Sequence, residues 1–288
     1  MMVIAMCKQT TNRFVCVWCC LFGLIFACSG GSSALAATKD RLDKSTRHHE
    51  WADIDVSGGH KVRTWVVYPE VSHDATTVVI IHENKGLTDW VRGVADEVAE
   101  AGYLAVAPDL LSGTGPGGGN TDAYPSEDAA TKGIYALNQD QVTADLDAVV
   151  TYAGSLTGSN KTIAVMGFCW GGGQTFAYAC HNPKIAAACV FYGPAPKDDG
   201  ALAKIACPVY GFYGREDQRI SGEVPQVVKR MKNLDKKYEP TIYDRARHGF
   251  MRLGEEAPEE SDPNRIARDQ AWERWKQIMT GLANDSAK

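Results

Sequence analysis

From Lys61 to Leu282 the chain alternates between short runs rich in β-branched residues and segments whose apolar residues recur at helical spacing. Lys61–Tyr68 carries Val62, Thr64, Trp65, Val66 and Val67 before Pro69 stops it, and Thr76–Ile81 is a continuous β-branched run. The second is the pattern of a parallel strand covered on both faces. Trp90–Ala101 then sets Val91, Val94, Val98 and Ala101 at helical spacing, with Gly102 as its C-terminal cap. Further strands are predicted over Tyr103–Ala107, Thr162–Met166, Ala186–Tyr192, Val209–Tyr213 and Glu239–Tyr243. Helices are predicted over Asp140–Leu156, Gly171–Cys180, Glu223–Leu234 and Asn264–Leu282. Such βαβα repetition buries its apolar faces in one main way, as an α/β domain with a mainly parallel central sheet and helices on both faces. With neither linker nor repeat in this stretch, residues 59–283 are expected to form a single domain behind a polar tether over 37–58. The Gly-, Pro- and Ser-rich stretch Ser112–Ser126 reads as a surface insertion, a flap over the site.

The nine cysteines divide by position. Cys7, Cys16, Cys19, Cys20 and Cys28 fall in a leader that carries Lys8 and Arg13, then an uncharged apolar run from Phe14 to Cys28, then Ala34-Leu35-Ala36. That order is a signal peptide's, with cleavage expected after Ala36, and the apolar run is shorter than the roughly 20 residues of a membrane span. A periplasmic or secreted protein is therefore expected. Ile25-Phe26-Ala27-Cys28 also loosely resembles a lipobox, which makes a lipid anchor at Cys28 the minor alternative. Loss of residues 1–36 moves the formal charge from -5 to -7. No basic footprint for nucleic acid is present, and a small-molecule partner and a monomer are expected. Cys180, Cys189 and Cys207 lack the paired spacing of a zinc site and are expected as buried thiols, although an exported compartment would permit a bridge such as Cys180 to Cys189. No metal or other cofactor is called for.

In sheets of this kind reactive groups gather beyond the carboxyl ends of the strands. After Thr162–Met166 comes Gly167-Phe168-Cys169-Trp170-Gly171, the nucleophile elbow G-x-S-x-G with cysteine in the nucleophile's place, leading into a helix whose N-terminus favours a thiolate. A nucleophile needs a base, and the base an orienting acid. Among seven histidines, His48, His49, His60 and His73 sit in polar or early segments, and His181 follows the helix after the elbow. His248 alone follows the last strand by a short loop, as the order nucleophile, acid, histidine requires. The acid is expected in Gly214-Arg215-Glu216-Asp217, with Asp217 preferred and Glu216 open. His82-Glu83, after Thr76–Ile81, lacks the second histidine of H-E-x-x-H, so it is no metalloprotease motif. Gly113-Thr114-Gly115-Pro116-Gly117-Gly118 fits G-x-G-x-x-G in form only, since no helix opens from it.

Taken in order, Glu83 with Gly86-Leu87, Pro108-Asp109-Leu110, the Cys169 elbow, Gly214–Asp217 and His248-Gly249-Phe250 resemble the dienelactone hydrolase (carboxymethylenebutenolidase) family over about residues 60–282. The resemblance implies an α/β-hydrolase fold and a small ester or lactone cleaved through a thioester on Cys169, with His248 as base and Asp217 as its acid. It further implies that Glu83 holds and activates the thiol, that the backbone N–H groups of Asn84 and Trp170 form the oxyanion hole, and that Arg252 binds a substrate carboxylate. Trp170 departs from the family by replacing a smaller aliphatic residue, and Tyr124–Asp140 offers no second carboxylate-binding arginine. A non-catalytic exported binding protein on the same fold is the alternative.

Overall fold

A computed structural model describes residues 41–286; the expected leader, its five cysteines and its cleavage site lie outside them. Eight strands form one sheet: β1 (His49–Val56), β2 (His60–Val67), β3 (Ala75–Ile81), β4 (Leu104–Pro108), β5 (Ser159–Phe168), β6 (Ala187–Phe191), β7 (Val209–Gly214) and β8 (Tyr238–Tyr243). Their order is β1-β2-β4-β3-β5-β6-β7-β8. β1 with β2 and β2 with β4 are antiparallel, and the pairs from β4 to β8 are all parallel.

The unbroken apolar run of β3 follows from helices covering both faces, since successive side chains of a strand point to opposite sides. On one face Val79 and Ile81 of β3 pack in a core with Val142, Leu146 and Val149 of α3 (Gln139–Ser155) and Phe176 of α4 (Trp170–His181). On the other, Val78 and Ile80 share a core with Val91, Val94 and Val98 of α1 (Asp89–Glu100) and Trp275 and Met279 of α9 (Pro263–Ser286). This is the expected α/β-hydrolase architecture in a single domain.

Five elements have no counterpart among those predicted. Residues 49–56, expected within a tether, are β1, paired along the full length of β2 through a turn in which Gly58 and Gly59 both take positive φ. Its acidic residues face water and only Ile54 and Val56 are buried, so it carries little apolar signal. α2 (Glu127–Ala136) begins at Ser126, whose hydroxyl accepts the Ala129 N–H at 3.2 Å, and buries only Ala130 and Ile134. The third is α8 (Phe250–Glu256), and the other two are the short helices α5 (Asp199–Leu202) and α6 (Gln218–Ser221) that precede α7 (Val224–Asn233).

The Ser112–Ser126 stretch is not a flap over Cys169. The buried Asp109 carboxylate accepts the Leu111 N–H at 3.0 Å and the N–H and hydroxyl of Thr121 at 2.9 and 2.7 Å, which ties the loop down. Ser112, Gly113 and Gly118 line a separate depression with Asp53, Lys61 and Arg63.

Candidate active site

Cys169 sits between β5 and α4 with φ 55° and ψ -114°, a backbone conformation that side chains rarely adopt. The sharp turn demands close approach on both sides. A Cβ on Gly167 would lie 2.3 Å from the Gly171 carbonyl oxygen, and one on Gly171 would lie 2.3 Å from the His82 carbonyl oxygen. The Cys169 N–H donates to the Phe191 carbonyl at 3.0 Å, anchoring the turn to β6.

His248 and Asp217 arrive from loops after β8 and β7 that are bonded to each other. The Arg215 N–H donates to Tyr243 at 2.9 Å and the Glu216 N–H to Ala246 at 2.9 Å. Asp217 is thereby turned inward and buried, while Glu216 is exposed, so Asp217 is the one of the two carboxylates that meets His248. His248 Nδ1 lies 2.5 Å from Asp217 Oδ2, and Nε2 lies 3.1 Å from Cys169 Sγ. Burial disfavours the imidazolium, but hydrogen bonds and charge from Asp217 and Cys169 outweigh it and push His248 up to about 9. Tyr192 lays its ring edge-on to the imidazole, centroids 5.1 Å apart, and holds it from the side.

Beside this chain of three lies a second network. Glu83 accepts from the Tyr192 hydroxyl and from Arg252 Nε, each at 3.4 Å. Burial pushes the Glu83 carboxyl up, against the pull of Arg252 and His248. The resemblance assigns Glu83 to the thiol and Arg252 to a substrate carboxylate; here the thiol's partner is His248. Arg252 is taken up by Glu83 and, at 3.1 Å, by Glu256, because a buried carboxylate needs a charged partner.

Asn84 and Trp170 stand three residues beyond Ile81 and Gly167, which are partners in the β3–β5 register. The two loops leave the sheet side by side, and among the described residues neither backbone N–H has an acceptor. Two such donors at the edge of the elbow suit an oxygen that gains negative charge. His82 fixes the first of these loops. Its Nε2 accepts the Leu110 N–H at 3.1 Å, so Nδ1 carries the proton and donates to the Glu83 carbonyl at 2.8 Å, and burial holds its pKa down.

A cleft of about 460 Å³ opens over Cys169 and His248. Tyr135, Trp170, Tyr192, Pro194 and Arg219 line it, and of these the sequence reading picked out only Trp170. Tyr192 closes the strand predicted over Ala186–Tyr192 and stands just beyond β6, a position that flags it; Tyr135 and Arg219 carry no comparable signal. Cys180, Cys189 and Cys207 are free thiols in the core, pushed up by burial to about 11, 12 and 11.

The family model for the Dienelactone hydrolase family matches residues 62–282. A "Putative carboxymethylenebutenolidase" from Salmonella typhimurium is 32% identical over 206 residues, covering 67% of this chain and 75% of that protein. One from Saccharolobus solfataricus is 28% identical over 252 residues, covering 77% of this chain and 95% of that protein. A crystal structure of a "Putative Dienelactone Hydrolase" from Klebsiella pneumoniae superposes with a TM-score of 0.71 at 23% identity, over 82% of this chain and 99% of that one.

Proposed function

Since this chain belongs to the dienelactone hydrolase family, we propose that it hydrolyses a small ester or lactone by a Cys169-His248-Asp217 triad through a thioester acyl-enzyme. The unbroken hydrogen-bonded series from Sγ through the imidazole to the Asp217 carboxylate carries this reading. Cys169 Sγ attacks the carbonyl carbon as the thiolate, its proton already held on His248 Nε2, and the carbonyl oxygen takes the negative charge. The N–H groups of Asn84 and Trp170 are the donors for that charge. Collapse breaks the bond to the alcohol oxygen, which leaves with the Nε2 proton; in a lactone it stays attached through the acyl chain. Water then gives a proton to Nε2 and attacks the thioester, and the acid departs as the thiolate is expelled beside the imidazolium, which restores the starting pair. Asp217 keeps the Nδ1 proton in place and stabilises the imidazolium throughout. Arg252 is paired with Glu83 and becomes available to a substrate carboxylate when that pair opens. The leader-like residues 1–36 support export as the setting of the reaction.

Cys169→Ala is expected to lower turnover of phenyl acetate and δ-valerolactone by roughly three orders of magnitude or more, with the melting temperature close to that of the native protein. Undiminished turnover by a folded variant would defeat the reading and favour a binding protein on the same fold.

A further inference from the structure

We propose that the cleft over Cys169 selects esters that carry an aromatic ring, seated between the side chains of Tyr135 and Trp170. This deepens the hydrolase reading and rests on it. The described residues leave four large hydrophobic side chains exposed, Val71, Tyr135, Val228 and Ile266, and of these Tyr135 alone lines the cleft, at 66% exposure. Its placement follows from its helical neighbour. Ile134 is buried with Ala130 and Leu111, and Trp170 packs against that cluster, so α2 is held to the elbow by one residue while the next turns into the cleft.

Trp170 is as firmly placed. Its indole stacks on the His82 ring, centroids 5.6 Å apart and planes 15° from parallel, and both His82 nitrogens are already hydrogen-bonded. The rim is tied across by Gln139 Nε2 donating to Gln174 Oε1 at 2.7 Å. Pro194 and Pro196 also line the cleft, and among the described residues no acidic side chain does. A phenyl group entering there would cover the exposed face of Tyr135, which a rigid aromatic neighbour rewards beyond simple burial. The ring belongs to the acyl half or to the leaving alcohol, and saturated analogues of each half separate the two sources while keeping size and reactivity close.

The test compares kcat/KM for benzyl acetate with cyclohexylmethyl acetate, and for ethyl benzoate with ethyl cyclohexanecarboxylate. The native protein is expected to prefer the aromatic member of one pair. In Tyr135→Ala that preference should fall roughly tenfold, while Tyr135→Phe retains it and Val228→Ala, remote from the cleft, leaves it as in the native protein. Cys169-dependent hydrolysis with no aromatic preference in either pair, or with a preference that Tyr135→Ala leaves intact, would overturn the ring seat and spare the hydrolase reading. Turnover that survives Cys169→Ala would overturn the hydrolase reading and the ring seat together.

Discussion

In the proposed triad Asp217 acts through His248, and its effect should be visible apart from catalysis. Burial opposes the imidazolium, yet Asp217 and Cys169 push His248 up to about 9, above its ordinary value of roughly 6.5. A group whose pKa is raised by folding adds stability that is complete below its unfolded pKa and is lost as pH rises through the folded one. The contribution is therefore expected in full at pH 6 and gone above about 9. Asp217→Asn removes the charge and leaves a neutral amide oxygen as the only acceptor for Nδ1, which weakens the strongest raising interaction. Urea unfolding should show the native protein ahead of this variant by more at pH 6 than at pH 10, and turnover should fall by roughly three to four orders of magnitude. A stability gap independent of pH would show that Asp217 does not hold the imidazolium.

At the scale of elements, the junction of β3, β5 and α4 decides whether the elbow can exist. Backbone from three elements meets at Gly171, where a Cβ would lie 2.3 Å from the His82 carbonyl oxygen and 2.4 Å from that of Ile81. Neither atom can swing aside as a flexible side chain would. Gly171→Ala is expected to push α4 away from β3, costing about 1–3 kcal/mol and displacing the Trp170 N–H together with Cys169. Gly154→Ala is the control, because that glycine lies within α3 with its Cβ position at an ordinary 4.0 Å from Ile163, and alanine there should stabilise by about 0.5–1 kcal/mol. Equal melting temperatures for the two variants would contradict the crowding argument. The elbow was legible because its chemistry is local: strand, turn and helix follow one another, and glycine flanks the nucleophile. His248 was legible from its place after the last strand. Asp217 was only half legible, since spacing cannot tell it from Glu216; cross-bonding between two loops turns one inward. The Glu83–Arg252 pair joins residues 169 positions apart, and no local pattern records which of two carboxylates the guanidinium will meet. β1 and α2 were missed for a related reason, because each buries only two side chains and draws its stability from a partner element.

At the scale of the whole molecule, the domain starts earlier than its first well-patterned strand. Arg47 grips the buried Asp96 of α1 with Nε at 2.9 Å and Nη2 at 2.6 Å, and Ser45 donates to the same carboxylate at 2.5 Å. Burial alone would raise the Asp96 carboxyl, but these partners hold it below its usual value. Arg41 reaches Glu97 at 2.5 Å and Glu255 at 3.3 Å, and Arg268 of α9 meets Glu97 at 2.6 Å. Residues 41–48 thus strap α1 to the helices behind it. Cleavage after Ala36, like any cut ahead of residue 41, would leave every one of these contacts in place. We propose that cut, and the full-length chain expressed in a secreting host is expected to yield an intact mass beginning at residue 37; a mass retaining residues 1–36, or a lipid-bearing one beginning at Cys28, would refute it. Chains expressed from residue 37 and from residue 49 then test the strap itself. The first should melt at the temperature of the full-length chain. The second leaves Asp96 buried without its cation and should lose roughly 3 kcal/mol, read by urea unfolding at neutral pH. Equal stability of the two chains would reduce residues 41–48 to a tether after all.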